Sequence, residues 1–387
     1  MIRVVHVITD VEIAGAEMAL SRIVAQPGRH SQPVAVIALG RRGPLAAPIE
    51  AAGIPVFALG IRAGASTTAA LWRLVGLLRQ LRPDVLQTWL YHADLAGLIA
   101  ATIARVPHVV WNVRSADLDP HDHPRSLPAL LRTLAFVSRW PDAVICNSEA
   151  GRRAHERIGY TPRRWEIIPN GFDTNAFRPS GAGPSWLKRE LGISDDAMLV
   201  GLLARFHPMK DHRTFLHAAK IVTAAKPNVH FVAAGSGVDS APAINRLLDD
   251  LELCGHVHLL PEQADASRFL ATLDVAASSS YGEAFPNVVA EAMACGTPCV
   301  VTDVGDSAHI VGDTGVIVPA RDPAALAAGI TRILDLAAAA RESLGSAARA
   351  RIIAEFSIGR AAARYDRLYA NVVGAQMTTS DASKCAE

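Results

Sequence analysis

The feature that most constrains this chain is an alternation. Short, continuous apolar runs recur along it, each followed by a stretch of helical period or a turn. VVHVIT (4–9), VAVIAL (34–39), VFAL (56–59), VLQTWL (85–90), HVVWNV (108–113) and AVICNS (143–148) read as strands, and AEMALSRIVA (16–25) and TAALWRLVGLLRQL (68–81) as helices between them. Runs this short and this uniformly apolar are buried on both faces, which a parallel sheet covered by helices on both sides achieves. The alternation predicts an α/β fold built on crossover connections.

The pattern occurs twice. After EIIPNGFD (166–173) comes FRPSGAGP (177–184), whose Pro, Gly and Ser mark a break. Strands then restart at MLVGLLARF (198–206), VHFVAAG (229–235), VHLLP (257–261), DVAASSS (274–280), CVVTD (299–303) and VIVP (316–319). The expected organisation is two Rossmann-like lobes with a cleft between them: residues 1–175, a linker at 176–184, and residues 185–357. The polar tail at 377–387 is expected to fray. A length of 387 residues with 50% hydrophobic and 19% charged composition suits two such domains and excludes a disordered or fibrous chain.

Charge and cysteine content narrow the function classes. Residues 1–175 hold 19 Arg and no Lys against 14 acidic residues, a balance of +5, and the remainder balances to −4. No clustered basic run of nucleic-acid type is present, so nucleic acid is not an expected partner, whereas a peripheral contact with an anionic membrane face is compatible with the first half. The five cysteines are odd in number and four lie in apolar stretches, which reads as reduced, buried thiols of a cytoplasmic protein. MIRVVHVITD reads as a strand and not a signal peptide, and Leu95–Ala104 is too short to span a bilayer.

Three stretches can carry chemistry. In the turn after the first strand, Gly15 and Ala16 open a helix whose free amides could meet an anion, or form an ordinary βα turn. In LARFHPMKD, Arg205 ends a strand and Lys210 follows five residues later; two cations at a strand's carboxyl end suit a diphosphate. In SSYGEAFPNVVAEAMACG, Pro286 suits a helix's first turn, Asn287 and Val288 offer amides to phosphate, and Glu283 is placed to accept from sugar hydroxyls. Glu291 lies among Val, Ala and Met, where a carboxylate needs a partner such as a ribose diol. Asp117, Asp119, His121, Asp122 and His123 read as a polar loop rather than a metal site, and Ser148 as a helix N-cap rather than a nucleophile.

Glu283 and Glu291, with F-P-N between them and A-M-A-C-G after, resemble the E-x7-E pattern of the retaining glycosyltransferases of family four. R-F-x-P-x-K-D, A-G-A-E, I-P-N-G-F-D, and Phe356-Ser357 with Tyr365 and Tyr369 are similar to the same family, over residues 4–370. The resemblance implies the two-lobed GT-B fold, with a C-terminal helix at about 358–375 crossing back to the first lobe. It implies that Arg205 and Lys210 bind the donor diphosphate, Glu283 the transferred sugar, the backbone of Phe285 to Val288 sugar and phosphate, and Glu291 the ribose. Gly15 would let the first lobe approach the phosphates, though the family's Gly-Gly is Ala14-Gly15 here. Arg114 stands where many members carry His; His92, Ser115 and Asp117 are candidates for the acceptor side.

The implied activity is retaining transfer of one sugar from a UDP- or GDP-sugar to a glycan or lipid-linked acceptor, in bacterial cell-surface polysaccharide assembly, with no cofactor and no metal requirement. A phosphorylase or nucleotide-sugar epimerase on the same fold, a non-catalytic sugar-binding protein, and a degenerate scaffold remain the alternatives.

Overall fold

The computed structural model describes residues 1–61, 67–115, 126–180 and 186–384. The chain divides into two compact units: residues 1–171 with the segment from Ile358 onward, and Phe172–Ser357.

The first unit runs β1 (Ile2–Ile8), α1 (Gly15–Val24), β2 (Ser31–Ala38), α2 (Ala46–Ala51), β3 (Val56–Ala58), α3 (Thr67–Leu81), β4 (Val85–Trp89), α4 (Tyr91–Ala104), β5 (His108–Val113), α5 (Leu127–Val137), β6 (Ala143–Cys146), α6 (Glu149–Arg157) and β7 (Trp165–Ile167). Its seven strands are parallel, in the order β3-β2-β1-β4-β5-β6-β7. The apolar runs are strands because both faces are covered. Val4, Ile8 and Val36 pack with Leu20, Ile23 and Tyr369, while Val5, Val7 and Trp111 pack with Leu74, Leu78 and Leu134 on the opposite side. Ser148 caps α6, its Oγ accepting from Gly151 N at 2.9 Å.

The second unit runs α7 (Trp186–Leu191), β8 (Met198–Leu203), α8 (His212–Ala225), β9 (Val229–Ala234), α9 (Pro242–Asp250), β10 (Val257–Leu260), α10 (Ala266–Leu270), β11 (Val275–Ser278), α11 (Asn287–Ala294), β12 (Cys299–Thr302), α12 (Ser307–Val311), β13 (Val316–Val318), α13 (Pro323–Leu334) and α14 (Ala338–Phe356). Its six strands are parallel in the order β10-β9-β8-β11-β12-β13. The second unit is closed on itself: Phe172 N donates to Phe356 O at 2.9 Å and Phe172 bridges Ser357.

The last helix, α15 (Ile358–Lys384), returns to the first unit. Tyr365, Leu368, Tyr369 and Val372 are buried in its core. Asp366 forms a buried ion pair with Arg29 at 2.6 Å and accepts from His30 N at 2.8 Å and from Ser31 Oγ, while Tyr365 accepts from Asn112 Nδ2 at 2.8 Å. The helical backbone continues to Lys384, beyond Gln376, where the polar composition suggests fraying. Among the described residues no single helix is long and apolar enough to cross a membrane; α13 and α14, apolar enough as a bent pair, put Leu326, Ile330, Ala348 and Ile352 into the second unit's core.

In each sheet the strand order reverses once, between β1 and β4 and between β8 and β11. The crevice beyond the strand ends at such a point is where open α/β sheets bind ligands.

Candidate functional site

In the second unit that point holds a cavity of about 310 Å³. Leu203, Ala204 and Arg205 at the end of β8, Ala277 and Ser278 of β11, and the start of α11 line it, with Lys210 and Glu283. Arg205 reaches this place because the turn after β9 packs directly beneath it. Gly235, at φ +149°, lies so close that a Cβ there would stand 2.2 Å from Ala204 O, and Phe206 N donates to Ser236 O at 2.8 Å. Lys210 closes a single 3₁₀ turn, Pro208–Lys210, and α8 then starts with Asp211 as its cap.

The segment carrying Glu283 is clamped from two sides. Tyr281 N donates to Met209 O at 2.9 Å and Ser279 Oγ to Lys210 O at 2.8 Å. Thr302 Oγ1 donates to Ser280 O at 2.5 Å, and Asp306 N to Ala284 O at 3.1 Å. Gly305, at φ +58°, could carry no side chain, since a Cβ would fall 2.4 Å from Glu283 O. Glu283 Oε1 accepts from Lys210 Nζ and from Ser280 Oγ at 2.9 Å. The carboxylate is thus fixed through Oε1, three-quarters or more of each partner's side chain is covered, and Glu283 lines the cavity.

α11 begins without a side-chain cap; Val289 N donates to Pro286 O at 3.2 Å, and Asn287 and Val288 of the first turn line the cavity. Pro286 occupies the cap position and not the first turn expected from sequence. Phe285 turns its ring inward, 6.2 Å from Phe172 and 5.9 Å from Phe356, leaving its backbone at the cavity. A guanidinium carried on a fixed strand end, an ammonium tied to a carboxylate and a helix start line one cavity, a set of groups with the chemistry to hold a diphosphate.

The structure therefore brings together Arg205, Lys210, Glu283, Phe285, Pro286, Asn287 and Val288. Glu291 is buried one turn further along α11 and is not among the residues lining the cavity. Sequence reasoning missed Ser280, Thr302 and Gly305, which hold the Glu283 segment; the Ser279-Ser280 pair directly after β11 was the available signal.

The remaining candidates belong to the first unit. Gly15 is exposed at the start of α1, which lacks a side-chain cap, and Ala16 is buried beside it. Arg114 follows β5, lies 5.2 Å from the Trp89 ring centre and donates to Asn170 Oδ1 and, at 3.5 Å, to Asn112 Oδ1. Burial raises the Glu17 carboxyl above the usual range, Arg114 opposes the rise and Asp10 adds to it. Ser115 follows Arg114, and Asp117 with the rest of its Asp/His loop lies outside the described residues. His92, in the first turn of α4, lines a second cavity, of about 470 Å³, whose rim includes Thr9 and Asp10.

Comparisons with known proteins bear on family and fold. The family described as glycosyl transferases group 1 matches residues 197–336, and glycosyltransferase family 4 matches residues 13–176. A D-inositol 3-phosphate glycosyltransferase of Geodermatophilus obscurus is 30% identical over 69% of this chain and 62% of its own length. That of Mycobacterium bovis is 30% identical over 67% of the chain and 54% of its own length. The match thus spans less than two thirds of these curated relatives. Among solved structures, Anabaena HepE in complex with UDP and glucose superposes with a TM-score of 0.81 at 23% identity, covering 96% of this chain and 100% of that one. Sucrose-phosphate synthase from Thermosynechococcus elongatus gives 0.71 at 18%, covering 97% and 100%. At these identities the structures bear on the fold alone, and the fold they share is GT-B.

Proposed function

Since the chain belongs to the group 1, family 4 glycosyltransferases, we propose that it moves one sugar from a nucleoside-diphosphate sugar to a hydroxyl of a glycan or glycolipid acceptor, with retention of configuration. The observation that carries this reading is the convergence of Arg205, Lys210, Glu283 and the uncapped start of α11 on one cavity at the strand-order reversal. Charge grows on the diphosphate as the sugar's C1–O bond breaks, and fixed positive groups in a partly enclosed site stabilise that charge more than the ground state. Glu283, held by Lys210 and Ser280, accepts from the sugar's hydroxyls and sets its orientation. The acceptor oxygen bonds to C1 on the face the phosphate leaves, and its proton passes to the departing phosphate oxygen. No protein nucleophile is needed, and the two cations with the helix start supply the neutralisation a metal otherwise would.

UDP is the donor nucleotide we favour, because HepE, of the same fold, was crystallised with UDP and with UDP-glucose. The setting is the assembly of cell-surface polysaccharide or glycolipid. Exposed Trp72, Phe136 and Trp140 on the Arg-rich first unit support peripheral contact with the inner membrane face.

The test is thermal shift and nucleotide release over a panel of UDP- and GDP-sugars, with and without EDTA, for wild type and Glu283→Ala. A donor at about a hundred times its Kd adds about 2.7 kcal/mol of stability. Stabilisation by one nucleotide class despite EDTA, with slow donor hydrolysis lost in the variant, is the expected outcome. Absence of any shift, or a shift only with metal, defeats the donor-site assignment.

A further inference from the structure

The 470 Å³ cavity of the first unit differs in chemistry from the donor site. It opens at the carboxyl ends of β1 and β2 and beside the first turn of α4, on the sheet edge where Gly15 and Arg114 also lie. Its walls are aliphatic: Leu39 and Ile61, then Leu71 and Leu74 of α3, then Leu95 and Ile99 of α4. No aromatic ring other than the His92 imidazole, and no Lys or Arg, is among its described lining residues. Of its polar lining residues, Thr9, Asp10 and His92 lie at the carboxyl edge of the sheet and Thr68 at the start of α3; Thr9 Oγ1 is buried without a hydrogen-bond partner among the described residues. The Asp10 carboxylate is held by Arg41 N at 2.7 Å.

A soluble protein rarely keeps an aliphatic cavity of this size at a ligand-binding edge without an occupant to fill it. We infer that it takes the aliphatic chain of a neutral glycolipid acceptor, whose hydroxyl-bearing head meets Thr9, Asp10 and His92; this rests on the transferase reading and narrows its acceptor. The walls are flexible aliphatics, which suit a chain more than a flat ring. The one charged group at the rim is a carboxylate, which repels a phosphate ester. D-inositol 3-phosphate, the acceptor named for the curated relatives, is therefore a poor fit to this cavity.

The experiment is calorimetric binding of n-alkyl glucosides, from butyl to decyl and below their micelle concentrations, to the full chain without any nucleotide. Affinity should rise by up to about fourfold per added methylene until the cavity is full. Ala96→Trp, which fills the cavity from α4, should abolish the chain-length dependence. Ile99→Glu, at a position 41% exposed and so tolerant in folding, should weaken octyl binding tenfold or more. A flat chain-length series, octyl binding unchanged in both variants, or tighter binding of phenyl glucoside or D-inositol 3-phosphate than of octyl glucoside overturns the inference. Donor hydrolysis is measured on the same proteins. Its absence in wild type sinks the transferase reading while leaving the binding result standing; retention in Ala96→Trp alongside lost alkyl binding separates the two sites.

Discussion

Arg205 and Lys210 carry the same charge but are held differently, and their variants should differ accordingly. Lys210 is tied to Glu283, whereas Arg205 is exposed at its strand end and positioned by backbone packing. Lys210→Ala removes a cation and also unlocks Glu283, so it should lower kcat for donor turnover by about 10²–10³ and loosen selection among epimeric sugars. Arg205→Met should lower kcat by a similar factor and leave sugar preference intact. Steady-state rates with UDP-glucose and a UDP-sugar epimer distinguish the two; equal loss of selectivity would show that the Lys210–Glu283 pair does not orient the sugar. Gly235→Ala belongs to the same scale: a Cβ 2.2 Å from Ala204 O at φ +149° forces the β8 end to move. Donor affinity should fall together with melting temperature, with a stability loss above about 1 kcal/mol.

Among the elements, α15 is the most consequential. Asp366 and Arg29 are both nearly buried, at 6% and 4% side-chain exposure. Asp366→Ala would strand the guanidinium and should cost the first unit about 3–5 kcal/mol, read as an earlier denaturant transition with that of the second unit unmoved. The strands were legible because a parallel sheet buried on both faces writes itself as continuous Val, Ile and Leu; HVVWNV is β5 end to end. The residues that meet at the second unit's cavity were legible because Arg205, Lys210 and Glu283 follow closely on apolar strands, where charged side chains stand out. What stayed hidden depends on tertiary placement. Leu95–Ala104 reads simply as an apolar stretch too short for a membrane, and only the packing of α3 and α4 makes one face of it the wall of a cavity. Thr302 and Gly305 are far from Glu283 in sequence, so no local pattern connects them to it.

At the scale of the molecule, buried histidines set how the protein answers acid. Burial lowers His155 to about 4 and His6 to about 3. Each is neutral in the folded first unit, while the unfolded chain takes up protons near 6.5. Their contribution is fully present above about pH 6.5 and is lost as pH falls toward 4, on the order of 3 kcal/mol for His155. Burial raises the Asp94 carboxyl, an effect of opposite sign, and it acts alike in wild type and in a His155→Leu variant. Melting temperatures from pH 7 to 4 should fall less steeply for that variant, and parallel curves would exclude His155 as a cause.

The path of the chain also sets an order of construction. The first unit is made from residues up to Gly171 and again from Ile358, with the second unit inserted between. On a ribosome every residue of the second unit has been added once Ser357 is in place. At that moment the first unit still lacks Tyr365, Leu368, Tyr369 and Val372, which share with α1 and α2 the covering of one face of β1, β2 and β4. The first unit is therefore the last to finish, and the part of its apolar sheet face that α15 covers stays open throughout synthesis of the other, a window in which a nascent chain is most prone to stick or to be held by a chaperone.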